Sequence, residues 1–336
     1  MAEAISIIVN VLQQPRRVII RSMRRAAVVS ALGLLAFAGV CGGQAGPAFD
    51  AAKAYGYVKA QVDFGPRVPG TAAHVACAEW LAKTLKQWTP DVVVQAFRAK
   101  AFDGKMLEGR NIVASFGAGM KDRVLLCAHW DSRPFADHDP DPANHWKPVL
   151  GANDGASGVG VLLEVARQLS MKKPAVGVDI VLFDLEDYGE HRSRQGYALE
   201  SWALGSQHWS RTPHRPGYTA RFGILLDMVG APDARFTMEG TSMYYAPAIV
   251  RKVWKTARAL GYGNHFLEKE SGALIDDHLY VNRLARIPTI DIIDYDDDRG
   301  GFTKRWHTVH DTMEGISAKT LEAVGRTVLA VVYSEK

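Results

Sequence analysis

Only three of the 336 residues are cysteine, Cys41, Cys77 and Cys127. No disulfide framework organises such a chain, and none is needed at a length that buries an ample core unaided. Internal repeats and low-complexity tracts are also missing, which excludes solenoid and fibrous architectures. No apolar run reaches the roughly 20 residues of a bilayer span. The formal charge of +4 loses its apparent meaning once it is located. Residues 1 to 40 carry five arginines against the single acid Glu3, and the remainder holds 35 basic and 35 acidic side chains. A neutral body without a Lys/Arg stripe excludes composition-driven nucleic-acid binding. What is present, 47% hydrophobic and 23% charged residues, describes an ordered globular protein.

Residues 1–45 read as an export leader. Arg24 and Arg25 precede Ala26 to Val40, fifteen uncharged and mostly apolar residues, followed by small residues around Gly42 to Gly46, the order of a secretory signal. Met23, directly before the arginine pair, marks an alternative translation start that would leave residues 1 to 22 outside the protein. Two cleavage readings compete. Ala36-Phe37-Ala38 or Gly43-Gln44-Ala45 suits a signal peptidase, whereas Cys41 after Ala38-Gly39-Val40 resembles a lipoprotein box and offers a lipid anchor. The mature chain is expected in the periplasm or cell envelope, without a membrane span and as a monomer, with residues 46–336 as one catalytic α/β domain. There Cys77 and Cys127 are either paired or buried as free thiols.

Helix-like and strand-like segments alternate along the body. Ala51 to Val62 and Thr71 to Trp88 have helical spacing, separated by the breaker Gly65-Pro66-Arg67-Val68-Pro69-Gly70. Val92 to Phe97, Asn111 to Phe116 and Arg123 to Ala128 read as strands, then a polar loop runs from Trp130 to Val149, too long for a plain connector. Gly155 to Leu169 is helical, and the apolar run Val178 to Phe183 is of the kind found in buried central strands. Phe222 to Met228 repeats it, Ala246 to Leu260 is helical, Pro288 to Ile293 is strand-like, and Ser317 to Val332 is an amphipathic helix. The alternation predicts a three-layer αβα domain around a mixed, mostly parallel twisted sheet. In such sheets chemistry gathers at the carboxyl ends of the strands.

Polar residues fall at those ends repeatedly. His129-Trp130-Asp131 follows one strand, Asp184, Glu186 and Asp187 follow another, and Asp227 ends a third. Asn153-Asp154-Gly155 precedes a helix, and Asp276-Asp277-His278 and Trp306-His307-Thr308 come later. Singly, each has an ordinary reading. Asp154 would cap its helix, Glu186 and Asp187 would be solvated, His307 would be a core histidine, and Asp276 would start a helix. Jointly they are harder to dismiss, because carboxylates beside apolar strand ends cost desolvation energy unless paired or bound to metal. A divalent cation such as zinc is the economical explanation. The neighbours Glu186 and Asp187 then suit a division in which one binds the ion and the other moves protons. The run Asp294, Asp296, Asp297, Asp298 reads as a solvated acidic loop, and Asp137, His138, Asp139 and Asp141 as solvent-facing residues near the site mouth.

These residues resemble the zinc-dependent glutaminyl-peptide cyclotransferases, bacterial cell-envelope type, which share the zinc-aminopeptidase fold. The resemblance runs from Phe64-Gly65-Pro66-Arg67-Val68-Pro69-Gly70 to the last helix and includes His129-Trp130-Asp131-Ser132, Leu226-Asp227-Met228-Val229-Gly230-Ala231 and Trp306-His307-Thr308. It implies that Asp154, Asp187 and His307 hold one zinc ion and that Glu186 shuttles the proton. Asp227 and Asp276 would form the supporting network, with Phe302 and Trp306 lining the substrate pocket. The implied reaction converts the N-terminal glutamine of peptides or proteins to pyroglutamate and ammonia. Two departures stand out: Asp187 occupies a position where animal members carry Glu, and Ile275 one where they carry a polar residue. A two-zinc aminopeptidase is the alternative, with His129 and Asp227 as further ligands and Asp154 as bridge. A catalytically silent binding ectodomain is the third reading, and it would have eroded ligands.

Overall fold

The computed structural model describes residues 47–190 and 199–336. The leader, Met23 and Cys41 lie outside the described residues. No described helix is long and apolar enough to cross a membrane.

Local chemistry sets the first helices. Helix α1 (Ala51–Val62) starts where the Asp50 side chain accepts the Lys53 N–H, and α2 (Ala72–Leu85) where Thr71 accepts from His74. Between them Gly65 and Gly70 take positive φ, which glycine adopts without steric cost. Strands β1 (Val92–Lys100) and β2 (Met106–Phe116) form an antiparallel hairpin on one edge of the main sheet. Next come β3 (Arg123–His129), α3 (Ala156–Met171), β4 (Gly177–Phe183), α4 (Leu204–Arg211) and β5 (Phe222–Asp227). A small β6 (Phe236–Met238), α5 (Gly240–Tyr245), α6 (Pro247–Ala259) and β7 (Phe266–Glu270) follow. One-turn α7 (Asp277–Tyr280), β8 (Thr289–Ile293) and α8 (Ala318–Ser334) complete the fold.

The six-stranded sheet has the order β1-β2-β4-β3-β5-β8. Strands β4, β3, β5 and β8 are mutually parallel, and the hairpin joins antiparallel through β2. Alternate side chains fill two cores. Val124, Leu126, Ile180, Leu182, Ile224 and Leu226 meet α1, α3, α6 and α8 on one face, while Leu125, Cys127, Val181, Phe183 and Leu225 meet Trp209 and Val281 on the other. Helices on both faces make the expected three layers. Cys77 belongs to the first core and Cys127 to the second, so the sheet separates them, and both are free and buried.

The run Val178 to Phe183 is not uniformly apolar: it holds Asp179, which is fully buried. Arg123 grips that carboxylate through Nε and Nη2, and Ser115 donates to it at 2.6 Å. Burial raises the Asp179 carboxyl, but the neighbouring His214 and the hydrogen bonds from Arg123 and Ser115 outweigh it and hold the group well below the usual carboxylate range.

Because β3 and β4 turn one way in the sheet order and β5 the other, a crevice opens at their carboxyl ends. Arg67, fully buried, ties the long loop over it: Nε donates to the Trp130 carbonyl at 2.8 Å, and Nη1 and Nη2 to the Leu150 and Gly151 carbonyls at 2.7 Å.

Candidate active site and metal centre

Each strand delivers one part of the site. From β4 the chain turns through Leu185, with φ 56°, and presents Glu186 and Asp187. At the end of β5 Met228, with φ 48°, turns beneath Asp227, and His307 itself has φ 52°. Left-handed backbone at three bulky residues costs of the order of 1 kcal/mol or more each and persists only where the surroundings dictate it.

Two buried carboxylates explain how the loops are held. Asp131 accepts the Glu186 N–H at Oδ1 (3.1 Å) and the Asp187 N–H at Oδ2 (3.2 Å). Asp311 accepts the Asn153 N–H (2.8 Å) and the Asp154 N–H (3.0 Å) in the same way. Asp311 is pushed up to about 7 by burial and by Asp154. Sequence reading missed Asp311; its one signal is its place four residues after His307.

Asp154, Asp187 and His307 come together as the resemblance implied, with one ligand atom from each within 4.8 Å of the others. His307 Nε2 stands 3.2 Å from Asp187 Oδ1 and 3.5 Å from Asp154 Oδ2. Both Asp187 oxygens are buried and make no hydrogen bond among the described residues; His307 Nε2 and, at 3.5 Å, the Arg133 guanidinium stand near Oδ1 only, and Oδ2 faces no partner among the described residues. An anionic, acceptor-only group in that state calls for a cation, and two carboxylates with one imidazole match the donor set of catalytic zinc. Asp154 is not a helix cap, as its ordinary reading had it. Gly155 occupies the start of α3 with φ 46° and no side-chain cap, and the Asp154 carboxylate points inward to His129.

A second group, His129, Asp154 and Asp227, is equally close but differently satisfied. His129 Nε2 is hydrogen-bonded to Asp154 Oδ1 at 3.0 Å and Asp227 Oδ1 at 3.2 Å. Burial opposes protonation of His129, yet the surrounding carboxylates of Asp131, Asp154 and Asp227 raise it well above the ordinary histidine value. Asp227 is pushed up to about 7 by burial, against the hydrogen bond from His129.

Glu186, Asp227, Asp276, Phe302 and Trp306 all line one cavity of about 240 Å³, together with Asp154 and His307. Asp187 lies outside that lining. The Glu186 carboxyl is raised well above its ordinary value, first by burial and then by Asp276, Asp187 and Asp277, with His129 opposing. Asp276 both caps α7, accepting the Asp277 N–H, and adjoins Asp291 and His278 in a buried cluster. Ile275 lines the cavity and is partly exposed.

Two surface readings are corrected. Asp137 is not a free rim residue: Arg133 grips both its oxygens at 2.8 Å, and Asp139 is buried, accepting the Val309 N–H. Asp294 and Asp296 are buried and ion-paired, to Arg299 at 2.7 Å and to Arg235 at 2.9 Å, because the small β6–β7 sheet and its loop fold over them.

The α/β core with a carboxylate cluster at its strand ends is the architecture of the zinc-exopeptidase class, and the sequence profile of peptidase family M28 matches residues 111–332. A glutaminyl cyclase from Bacteroides thetaiotaomicron is 53% identical, with a TM-score of 0.85 and coverage of 86% of this chain and 99% of that one. The Tannerella forsythia glutaminyl cyclase is 53% identical, with a TM-score of 0.84 over 86% and 100% of the two chains. A Bacteroides thetaiotaomicron structure described as a leucine aminopeptidase precursor is similar to a comparable degree, at 52% identity and a TM-score of 0.84 over 86% and 99%. The chain spans about half the length of the Drosophila melanogaster glutaminyl-peptide cyclotransferase, at 28% identity over 194 residues and 49% of that protein. The chain thus belongs to peptidase family M28 and, within it, to the glutaminyl cyclases.

Proposed function

We propose that this protein is a single-zinc glutaminyl-peptide cyclotransferase acting on peptides or proteins that begin with glutamine. The observation that supports the single ion is the contrast between the two clusters: neither buried Asp187 oxygen makes a hydrogen bond among the described residues, while His129 Nε2 already bonds Asp154 and Asp227. Asp154, Asp187 and His307 are the proposed ligands. When bound there, zinc supplies Lewis acidity toward the side-chain carbonyl of the substrate.

The protein's own groups do the rest. Glu186 takes a proton from the α-amine as that nitrogen bonds to the side-chain amide carbon, and it delivers a proton to the departing nitrogen as the C–N bond breaks and ammonia leaves. Its carboxyl is raised well above the ordinary value, first by burial, which is the direction a proton shuttle needs. Asp227 and Asp276 hold the surrounding network, and Phe302 against Trp306, with ring centroids 4.3 Å apart, forms an apolar wall for the glutamine side chain.

The purified body is offered a Gln-initiated peptide and, separately, an aminoacyl chromogenic amide. Ammonia release with matching loss of its mass from the peptide is expected; cleavage of the amide without cyclisation would instead select the two-zinc aminopeptidase. Metal analysis should return one zinc per chain, and light scattering a monomer. Export to the periplasm or cell envelope, with or without a lipid at Cys41, is tested by fractionation and by mass spectrometry of the mature N-terminus.

A further inference from the structure

Two tryptophan rings face that of His307. Trp202 lies parallel at 6.0 Å and 8°, and Trp306 stacks at 4.0 Å and 28°. Stacking constrains the plane but not the tautomer, and a metal ligand must present an unprotonated nitrogen. A hydrogen-bond acceptor at the opposite nitrogen is the usual way to choose it. With Nε2 facing Asp187 and Asp154, that opposite atom is Nδ1, which is buried and makes no hydrogen bond among the described residues, and the carboxylate beside it is Asp137, with Oδ1 at 3.4 Å.

Asp137 is itself held. The buried Arg133 engages it through Nε and Nη2, both at 2.8 Å, and uses Nη1 to donate to the Asp187 carbonyl at 2.9 Å and the Gly189 carbonyl at 3.3 Å. Its guanidinium lies 4.5 Å from the centre of the Trp202 ring that stacks on His307. One arginine therefore links the backbone of one proposed ligand, the ring packed on another, and the carboxylate behind that second ligand. Its charge also matters, since Nη1 is 3.5 Å from Asp187 Oδ1. Without Asp137 to balance it, the guanidinium would repel a cation at the same carboxylate.

We infer that Arg133 and Asp137 are positioning residues for the metal centre: Asp137 selects the tautomer of His307 and neutralises Arg133, so that ion affinity depends on this pair. The inference rests on the reading that Asp154, Asp187 and His307 hold the ion. Wild-type affinity is therefore measured first, by competition between the metal-free protein and a chromogenic zinc chelator. Failure of the wild type to bind would remove that underlying reading and leave nothing for the pair to position.

Given wild-type binding, Asp137→Asn is expected to weaken zinc affinity by about 10- to 100-fold, the range for outer-shell carboxylates, and to shift the visible bands of the cobalt(II)-loaded protein. The thermal midpoint of the metal-free protein should also fall, because Arg133 is left buried without its counter-charge, so the deciding readouts are zinc affinity and the cobalt spectrum of the folded variant. Arg133→Lys, which keeps the charge but loses the fork, should weaken binding in the same direction and decides the matter if Asp137→Asn does not fold. Wild-type affinity and cobalt spectrum in the folded variants would overturn the inference, as would a loss confined to the stability of the metal-free protein, the sign of a mere loop staple.

Discussion

At the residue scale, the site rests on neighbouring carboxylates given opposite tasks by their surroundings. Glu186 lines the cavity and Asp187 does not, while Asp131 fixes the backbone of both. Glu186→Gln is expected to lower kcat by about 10²- to 10⁴-fold, the usual weight of a general acid–base group, with zinc content unchanged by elemental analysis. Loss of zinc instead would show the two roles assigned the wrong way round. Asp179 supports a separate prediction, far from catalysis. Its folded pKa is depressed, so its contribution to stability is complete above the unfolded value of about 3.9 and is lost as the pH falls below that. Asp179→Asn should cost about 3–5 kcal/mol at neutral pH, because Arg123 is left buried without its counter-charge. Denaturant midpoints should show the gap to wild type narrowing as pH falls from 5 to about 3; a constant gap would refute the account.

How much of this was legible varied with the physics of each residue. Strand-end acids announce themselves because charge beside an apolar run is costly, and that logic singled out Glu186, Asp187 and Asp227, whereas Asp154, just before a helix, could pass singly for its cap. Asp137 and Asp311 lie in irregular segments, where an aspartate is ordinary turn chemistry, and only three-dimensional proximity to His307 and to the Asp154 backbone sets them apart. The acidic run from Asp294 misled for the related reason that the partners of Asp296, Arg235 and Lys269, are remote in sequence.

Among elements, helix α3 carries the most weight, since it starts beside Asp154 and crosses the sheet behind β3 and β5. It can approach so closely only because residues facing those strands are small. A Cβ on Gly158 would collide with the Leu226 carbonyl and stand 3.0 Å from the Ala128 Cβ. Gly155 combines positive φ with a Cβ position 2.6 Å from the His129 carbonyl oxygen and 2.7 Å from its ring. Gly158→Ala should therefore destabilise the protein by about 1–3 kcal/mol through overpacking against backbone, despite alanine's better helix propensity, as read from the urea midpoint. A neutral or stabilising effect would mean that α3 packs less tightly than the structure shows. The long elements were readable from sequence because their apolar periods are sustained: α1 spans the expected residues, and β3, β4 and β8 differ by about one residue at an end. Helices α4 and α5 and the small β6–β7 sheet were not, being short, polar or glycine-bearing, and ordered by the core they cover more than by their own pattern, whereas the one-turn α7 does start at Asp276 as the ordinary reading of that residue had it.

On the scale of the whole molecule, the question is whether the ion organises the fold or only the chemistry. The sheet is packed on both faces by contiguous apolar cores, and the proposed ligands are loop residues beyond the strand ends, so the core does not pass through the metal. Chelation should leave the far-ultraviolet circular dichroism spectrum intact and abolish cyclisation, with zinc restoring it. The thermal midpoint should still fall, because an ion bound only by the folded state adds about 2.7 kcal/mol when free zinc is a hundred times its dissociation constant. At about 2–4 °C per kcal/mol for a chain of this size class, the expected drop is roughly 5–10 °C. Collapse of the spectrum on chelation would contradict the picture, because it would make the ion a structural staple of the kind small domains need. The same experiment bears on the charge arithmetic of the sequence. A body balanced between acids and bases still places a dense acidic cluster at one crevice, and that cluster is tolerable without the ion only if its members share protons. The metal-free protein should therefore gain stability as the pH is lowered from 8 toward 6, through the raised carboxyls Asp227 and Asp311, whose contribution is fully present below their unfolded pKa and lost as pH rises through about 7.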